Sequence, residues 1–191
     1  MLFRSKRAAL AQAVTMSEFS RRGYVSERAI REAGRLLMES EEALAPFGAV
    51  PAALRALAKA LSIRAQLSVV SKDPVSAVSC LHRARGLYEK LGSTRDVALT
   101  DALSGLALLE VGKTRGGEIF EEAHGMLRQA LTFFDSPQHN VIRWKLKSYL
   151  SMSAYLSSQA KGHGQGGVSW RETSASWLRG AMVDLESASS Q

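Results

Sequence analysis

Apolar and small residues recur along this chain at helical spacing, and one octapeptide pattern occurs three times. The copies are ALSIRAQL at 60–67, ALSGLALL at 102–109 and YLSMSAYL at 149–156, so they begin 42 and 47 residues apart. Each copy has Leu, Ser, Ala and a further apolar residue at the same offsets. A period of this size indicates a repeated helical unit that buries its apolar face by stacking on neighbouring units.

Turn and capping residues divide the chain into eight predicted helices. Asp73-Pro74 and Ser136-Pro137 place a good N-cap before proline at the first helical position. Gly112 and Gly162 predict helix ends, and the segment 169–172 (SWRE) predicts a capping box. The predicted helices are 3–22, 26–46, 51–71, 74–91, 94–111, 117–135, 137–161 and 169–187.

The second helix of each unit carries a small–large–small pattern that lines one helical face. Small residues at both ends of such a pattern let two helices approach closely. The three copies are Ala77/Leu81/Ala84, Ala123/Leu127/Ala130 and Ser174/Leu178/Ala181. On the first helices, the aligned octapeptides predict burial of Leu61, Ala65, Leu103, Ala107, Leu150 and Ala154.

These positions carry a family resemblance. In residue type and spacing the chain resembles the tetratricopeptide-repeat family at Leu61, Ala65, Ala77, Leu81 and Ala84. It departs from that family at Arg64, where an apolar residue is usual, at Ser68, where tyrosine is usual, and at Glu89, where proline is usual. The resemblance implies an all-α, right-handed α-solenoid of about four helical hairpins, with peptide or protein binding on a concave face lined by the first helices.

We therefore expect residues 1–50 to form an N-terminal capping helix pair, 51–187 to form the repeats and 188–191 to form a tail. The 191 residues are 46% hydrophobic, which excludes a disordered chain. The single cysteine, Cys80, excludes an internal disulfide. Because no apolar run approaches the roughly 18–20 residues of a membrane span, we expect a soluble chain.

The net charge of +7 is distributed in bands rather than in one continuous basic stripe. Because first-helix residues outside the buried stripe face the concave side, we expect a basic–acidic–basic groove that binds other protein subunits. Its predicted residues are Arg55, Lys59, Asp101, Glu110, Arg143 and Lys147. Reversing Arg143 and Lys147 to Glu is expected to slow association and to leave thermal stability almost unchanged, because exposed charges contribute little to folding.

The function that this pattern favours is that of a non-enzymatic scaffold, adaptor or structural subunit of a larger assembly. The alternative is an RNA-associated helical-repeat protein that resembles pentatricopeptide arrays, although that family's units are shorter than 42–47 residues. The two hypotheses differ in salt dependence, since an RNA binder that contacts several phosphates loses affinity steeply as salt rises.

Four segments resemble catalytic or ligand sites but lack the context that such sites require. Residues 107–114 (ALLEVGKT) fit a permissive phosphate-loop pattern, yet no strand precedes them. Glu121 and His124 have the spacing of one half of a di-iron site, without a second such pair. The glycine-rich segment 162–167 follows a helix, and Cys80 and His82 point apart on a helix. We expect no cofactor, no metal and no small-molecule substrate.

The N-terminus resembles a targeting segment. Residues 1–17 contain Arg4, Lys6 and Arg7 without an acidic residue, and 21–26 (RRGYVS) resembles a matrix-protease cleavage site. This pattern predicts a mitochondrial protein with 1–24 as a presequence; the alternative is a cytoplasmic protein whose helix 3–22 belongs to the first repeat. At the other end, Trp170 and Trp177 are expected to close the C-terminal core, with dimer formation as the alternative.

Overall fold

The computed structural model of the chain describes residues 27–47, 49–162 and 165–189, and these residues form an all-α structure without strands. The predicted helix 3–22, the predicted presequence and Gly48 lie outside the described residues. The helices are α1 (Glu27–Leu44), α2 (Pro51–Val70), α3 (Pro74–Lys90), α4 (Thr94–Arg115), α5 (Glu118–Phe134), α6 (Asn140–Lys161) and α7 (Gln165–Ser189), with 3-10 turns at Ala45–Phe47 and Pro137–His139.

Packing divides the chain into two compact units, Met1–Val97 and Ala98–Gln191. The first unit contains α1 to α3, and the second contains most of α4 together with α5 to α7. The boundary predicted near residue 50 therefore lies inside the first unit. Within the described part of the second unit, as of the first, helices pack on their neighbours along the chain, as expected for an all-α helical-repeat fold.

Proline and capping residues start two helices where the sequence predicts them. Pro51 is the first residue of α2, and Pro74 is the first residue of α3. The Asp73 carboxylate accepts a hydrogen bond of 3.1 Å from the Ser76 backbone N–H, so one of the unpaired donors at this helix start is satisfied. Hydrogen bonding to the Ser76 side chain, and then to its backbone N–H, holds the pKa of Asp73 below its usual value.

Three helix boundaries differ from those that the sequence predicts. Helix α4 runs through Gly112 to Arg115, and it ends before Gly116, which has a φ of +81°. Helix α7 begins at Gln165, so the predicted capping box at 169–172 lies inside it. Ser136-Pro137 opens a 3-10 turn in which the Ser136 hydroxyl and His139 Nδ1 are 2.9 Å apart, and α6 begins only at Asn140.

The first unit buries the predicted apolar stripe of α2 between α1 and α3. Ala33, Leu36 and Leu37 of α1 cluster with Ala60, Ile63 and Leu67 of α2. The small–large–small residues Ala77, Leu81 and Ala84 of α3 are almost completely buried. Burial of side chains of this size is the main stabilising contribution to such a unit.

The second unit depends on glycine for its closest helix–helix approach. A Cβ atom placed on Gly105 of α4 would lie 2.6 Å from Leu127 Cγ of α5, a side chain that is fully buried. One placed on Gly112 would lie 2.5 Å from Phe120 Cε1. Gly112 therefore serves helix packing rather than helix termination, which explains the wrong boundary.

The burial predictions are confirmed except at two leucines. Five of the six octapeptide positions are buried, and Leu103 is partly exposed. Leu178 of α7 is 51% exposed, so the prediction that it packs as Leu81 and Leu127 do is wrong. The inward face of α7 instead has Trp170, Ser174, Trp177, Ala181 and Asp184, whose spacing of four and three residues excludes Leu178. None of the helices in the described residues combines the length and apolar character needed to cross a bilayer.

Candidate partner-binding surface

Two of the six residues predicted to contact a partner lie exposed on one helix. Arg55 and Lys59 are both exposed on α2 and are four residues apart, so their side chains share a face. Neither takes part in an ion pair with any described residue. Both cations are open to solvent, and their contact with a partner stays a prediction.

The two predicted acidic residues have different positions. Asp101 is only 1% exposed, so the expectation that it faces a ligand is wrong. Its neighbours Thr100 and Ser104 are also buried, so this polar segment of α4 is shielded from solvent. Glu110 is partly exposed, and its Oε1 lies 2.6 Å from Lys113 Nζ on the same helix.

Arg143 and Lys147 are not free surface cations, because both bind Asp184. Arg143 Nη2 and Lys147 Nζ of α6 lie 2.5 Å and 2.8 Å from the two carboxylate oxygens of Asp184 on α7. The Asp184 side chain is 4% exposed, while those of Arg143 and Lys147 are 16% and 18% exposed. The expectation that this pair lines an open groove is therefore wrong, since its charge is used to attach α7 to α6.

The pKa values of this cluster show the balance between burial and charge. Burial alone raises the pKa of Asp184, but the hydrogen bonds from Arg143 and Lys147 and their positive charges outweigh it, so the pKa lies below its usual value. The hydrogen bond to Asp184 is also the main reason why the pKa of Arg143 is raised. Both groups are thus charged at neutral pH.

Sequence reasoning missed Asp184, although a signal for it was present. Asp184 is the last member of the stripe that begins with Trp170 and continues through Ser174, Trp177 and Ala181. A carboxylate on an otherwise apolar or small stripe indicates a buried ion pair. Arg143 and Lys147, four residues apart on the preceding helix, are the matching cations.

A second ion cluster joins the three helices of the first unit. Glu41 of α1 lies 3.1 Å from Arg64 of α2 and 3.5 Å from Arg83 of α3, and its side chain is 11% exposed. The hydrogen bond to Glu41 is the main reason why the pKa of Arg64 is raised. Arg64 therefore has a partner within the fold.

His124 lies at the centre of the second unit rather than on a surface face. Its Nδ1 is 2.8 Å from Ser153 Oγ of α6, and the Ser153 hydroxyl lies 2.8 Å from the Leu150 carbonyl, to which it donates. With the single hydroxyl proton used there, Ser153 accepts from His124, which assigns the imidazole proton to Nδ1. The ring meets Trp170 edge-on, with centroids 5.1 Å apart, and Trp177 at 6.3 Å.

This environment favours the neutral imidazole. Burial lowers the pKa of His124 and the charge of Arg128 lowers it further, while a hydrogen bond with the Leu150 backbone opposes both. Glu121, three residues earlier, has a separate partner, since its carboxylate lies 2.6 Å from Lys161 Nζ. The two tryptophans close the core around His124, as the sequence predicts.

The segments that resemble catalytic sites have structural contacts. In the phosphate-loop-like segment, Lys113 binds Glu110 and the Thr114 hydroxyl donates to the Val111 carbonyl at 2.9 Å, all within α4. Cys80 is buried with a pKa raised by that burial, whereas His82 is exposed, so the two point apart. The described residues contain no group of three side chains suited to hold a metal ion.

The buried ionic and polar groups described above contact partners within the fold. Arg55 and Lys59, in contrast, form an exposed basic pair. When the sequence is compared with protein-family models and with curated proteins, it matches none of them.

Proposed function

We propose that the chain is a non-enzymatic adaptor or structural subunit that binds other proteins of a larger assembly through its helical-repeat surface. The observation that carries this proposal is the pair Arg55 and Lys59, exposed on α2 and without an ion-pair partner in the described residues. A pair of this kind suits an acidic segment of a partner protein, for which charge contributes mainly orientation and association rate.

Four other cations near the helix interfaces already form ion pairs within the fold. Arg64 and Arg83 bind Glu41, and Arg143 and Lys147 bind Asp184. His124 is likewise occupied by Ser153 and two aromatic rings. Because these groups already have partners within the fold, we assign them no catalytic part, and we restrict the predicted basic partner site to α2.

Affinity capture of the tagged chain from its native cell tests the proposal. The unmodified chain should retain a defined set of proteins in fixed ratio, and the variant R55E/K59E should lose that set. The control K72E/K145E changes the net charge by the same amount at two other exposed lysines, and it should retain the set. Equal capture by both variants would remove α2 as the partner site.

RNA binding is the alternative, and the engaged state of Arg143 and Lys147 makes it the weaker one. Of the three closely spaced cations of α6, only Lys145 is exposed without a carboxylate partner among the described residues, and its Nζ lies 5.9 Å from the Trp144 ring. A binder that uses several phosphate contacts should lose about 10³–10⁵ in affinity between roughly 50 and 200 mM salt. Steep loss of this kind with a generic RNA would favour the alternative over the adaptor.

We also propose that the repeats are tetratricopeptide-like and that the protein is mitochondrial. Both rest on sequence patterns, the second on residues outside the described part. A fusion of residues 1–30 to a fluorescent protein should reach the mitochondrial matrix and be shortened there. A fusion that stays in the cytoplasm at full length would favour the cytoplasmic alternative.

A further inference from the structure

Helix α7 has an apolar stripe that the rest of the described chain leaves exposed. One residue beyond its inward positions lies a second row with the same spacing. In this row Leu178 is 51% exposed, Met182 is 56% exposed, and Val168 and Leu185 are nearly as open. Ala175 lies in the same row, and Arg171 stands between Val168 and Ala175. We name Val168, Ala175, Leu178, Met182 and Leu185 the α7 stripe. From Ala175 to Leu185 the row contains only exposed apolar residues, and an exposed apolar surface of this kind marks an interaction site.

The repeat pattern indicates what kind of element fits this surface. Alignment of the small–large–small positions places Ala175, Leu178, Met182 and Leu185 at the positions that His124, Leu127, Leu131 and Phe134 occupy on α5. All four of those α5 residues are buried, and His124 contacts a neighbouring helix through Ser153. The alignment thus gives these four residues packing positions, but the inward face of α7 is displaced by one residue, so on α7 the same positions face outward.

The charges beside the stripe select the orientation of the helix that packs on it. Glu172, Arg179 and Glu186 are exposed, follow one edge of the stripe seven residues apart and alternate in sign. A second copy of α7 placed parallel and in register would put like charges together. Placed antiparallel, with Ala175 opposite Leu178 of the second copy and Val168 opposite Leu185, it puts Glu172 beside Arg179 in two symmetric pairs.

From these features we propose that the α7 stripe is a homodimer interface in which two copies of this chain pack their α7 helices antiparallel about a two-fold axis. In this register Ala175 lies opposite Leu178, each Glu172 faces an opposite charge, and the Arg171 stem lies opposite Met182 with its guanidinium extending toward solvent. Sliding the two helices by one heptad would bring two Arg179 residues together in one direction and two Glu172 residues together in the other. Among the antiparallel registers that keep the two apolar rows in contact, this one therefore pairs opposite charges. The interface is separate from the partner site on α2.

Sedimentation equilibrium of the full chain tests the interface directly. The average mass should rise from that of one chain toward that of two as concentration increases from about 1 to about 100 µM. The variant L178E/M182E should weaken dimerisation at least about tenfold, because it buries four carboxylates per dimer. The control V75E/V141E replaces two exposed valines in the first turns of α3 and α6, and it should dimerise like the unmodified chain.

A charge exchange tests the register. R179E should weaken the dimer, because the carboxylate introduced at that position then faces Glu172 of the second copy. E172R/R179E should restore association, because both symmetric pairs regain opposite charges. A single-chain mass at every concentration would overturn the proposal. So would a dimer that withstands L178E/M182E, or a charge exchange that fails to restore association. Unchanged far-UV circular dichroism establishes that these surface variants are folded.

Discussion

Lys147 Nζ of α6 lies 2.8 Å from Asp184 Oδ2 of α7, and this contact turns a pair of predicted surface cations into an internal attachment. Arg143 binds the other oxygen of the same carboxylate. Two cations on a single nearly buried carboxylate neutralise a charge that would otherwise oppose burial. The last helix of the chain is thus held by electrostatics as well as by its tryptophans.

Reversal of Arg143 and Lys147 should therefore destabilise the fold, contrary to the expectation from the sequence. R143E/K147E places three carboxylates where one carboxylate met two cations. We expect the free energy of unfolding to fall by about 2–4 kcal/mol. This is less than the usual cost of breaking a fully buried ion pair, because Arg143 and Lys147 keep some contact with water. Urea unfolding monitored by tryptophan fluorescence measures this loss, since Trp170 and Trp177 are on the helix released.

The complementary substitution tests whether charge causes that loss. Adding Asp184→Lys to R143E/K147E restores opposite charges across the α6–α7 contact, and it should recover part of the lost stability. Equal stability of R143E/K147E and the unmodified chain would show that these residues are free in solution, and the groove predicted from the sequence would regain its support.

Acidification should destabilise the second unit through His124. Because burial lowers the folded-state pKa of His124 below the unfolded value of about 6.5, the unfolded chain takes up the proton first as pH falls. The stability that the neutral imidazole contributes is complete above about pH 7 and declines as pH falls below about 6.5. Asp184 affects stability at lower pH than His124 does. Because its folded-state pKa is lowered, the stability that the carboxylate contributes is lost only below about pH 4.

The measurement is the free energy of unfolding between about pH 7.5 and about pH 5. His124→Asn keeps an amide donor for Ser153 without a titrating ring, so its stability should be lower but nearly independent of pH across this window. Replacement of His82, which is exposed, is the matched control and should retain the pH dependence of the unmodified chain. A slope that persists in H124N would assign the effect to another group.

Helix positions and most of the core were predictable from the sequence because both depend on local patterns. Proline with a preceding cap located the start of α3, proline alone located that of α2, and the octapeptides identified buried positions such as Leu61 and Leu150. The register of α7 was not predictable by the same alignment. Two bulky tryptophans that contact His124 determine which face of α7 packs inward. With this face inward, Leu178 points to solvent.

The candidate site was less predictable, because exposure of a charged residue depends on residues distant in sequence. Arg143 and Asp184 are 41 residues apart, and Glu41 and Arg64 are 23 apart. Helical periodicity assigns a residue to a face, but it does not identify the opposite charge on a neighbouring helix. Arg55 and Lys59 lie away from the Ala and Leu positions that α2 buries, so helical periodicity alone accounts for their exposure.

Two glycine substitutions should have opposite effects on stability. Gly105→Ala puts a Cβ 2.6 Å from buried Leu127, and we expect overpacking to cost about 1–3 kcal/mol. Gly125→Ala is in the interior of α5 with nothing within 4 Å of the added Cβ, and the higher helix propensity of alanine should stabilise by about 0.5–1 kcal/mol. Thermal unfolding of both variants checks the signs; stabilisation by Gly105→Ala would exclude the close contact of α4 with α5.

The pair Glu41 and Arg64 should show coupling in a double-mutant cycle. Glu41→Met leaves Arg64 and Arg83 without their carboxylate, and Arg64→Met leaves a mostly buried Glu41 with the longer contact to Arg83 alone. We expect each single change to cost about 1 kcal/mol, a modest figure because Arg64 is 35% exposed. The double variant should cost less than the sum, since two methionines can pack where a charged pair had to be desolvated. Chemical unfolding of the four proteins measures the coupling. Simple additivity would mean that Glu41 and Arg64 do not interact in solution.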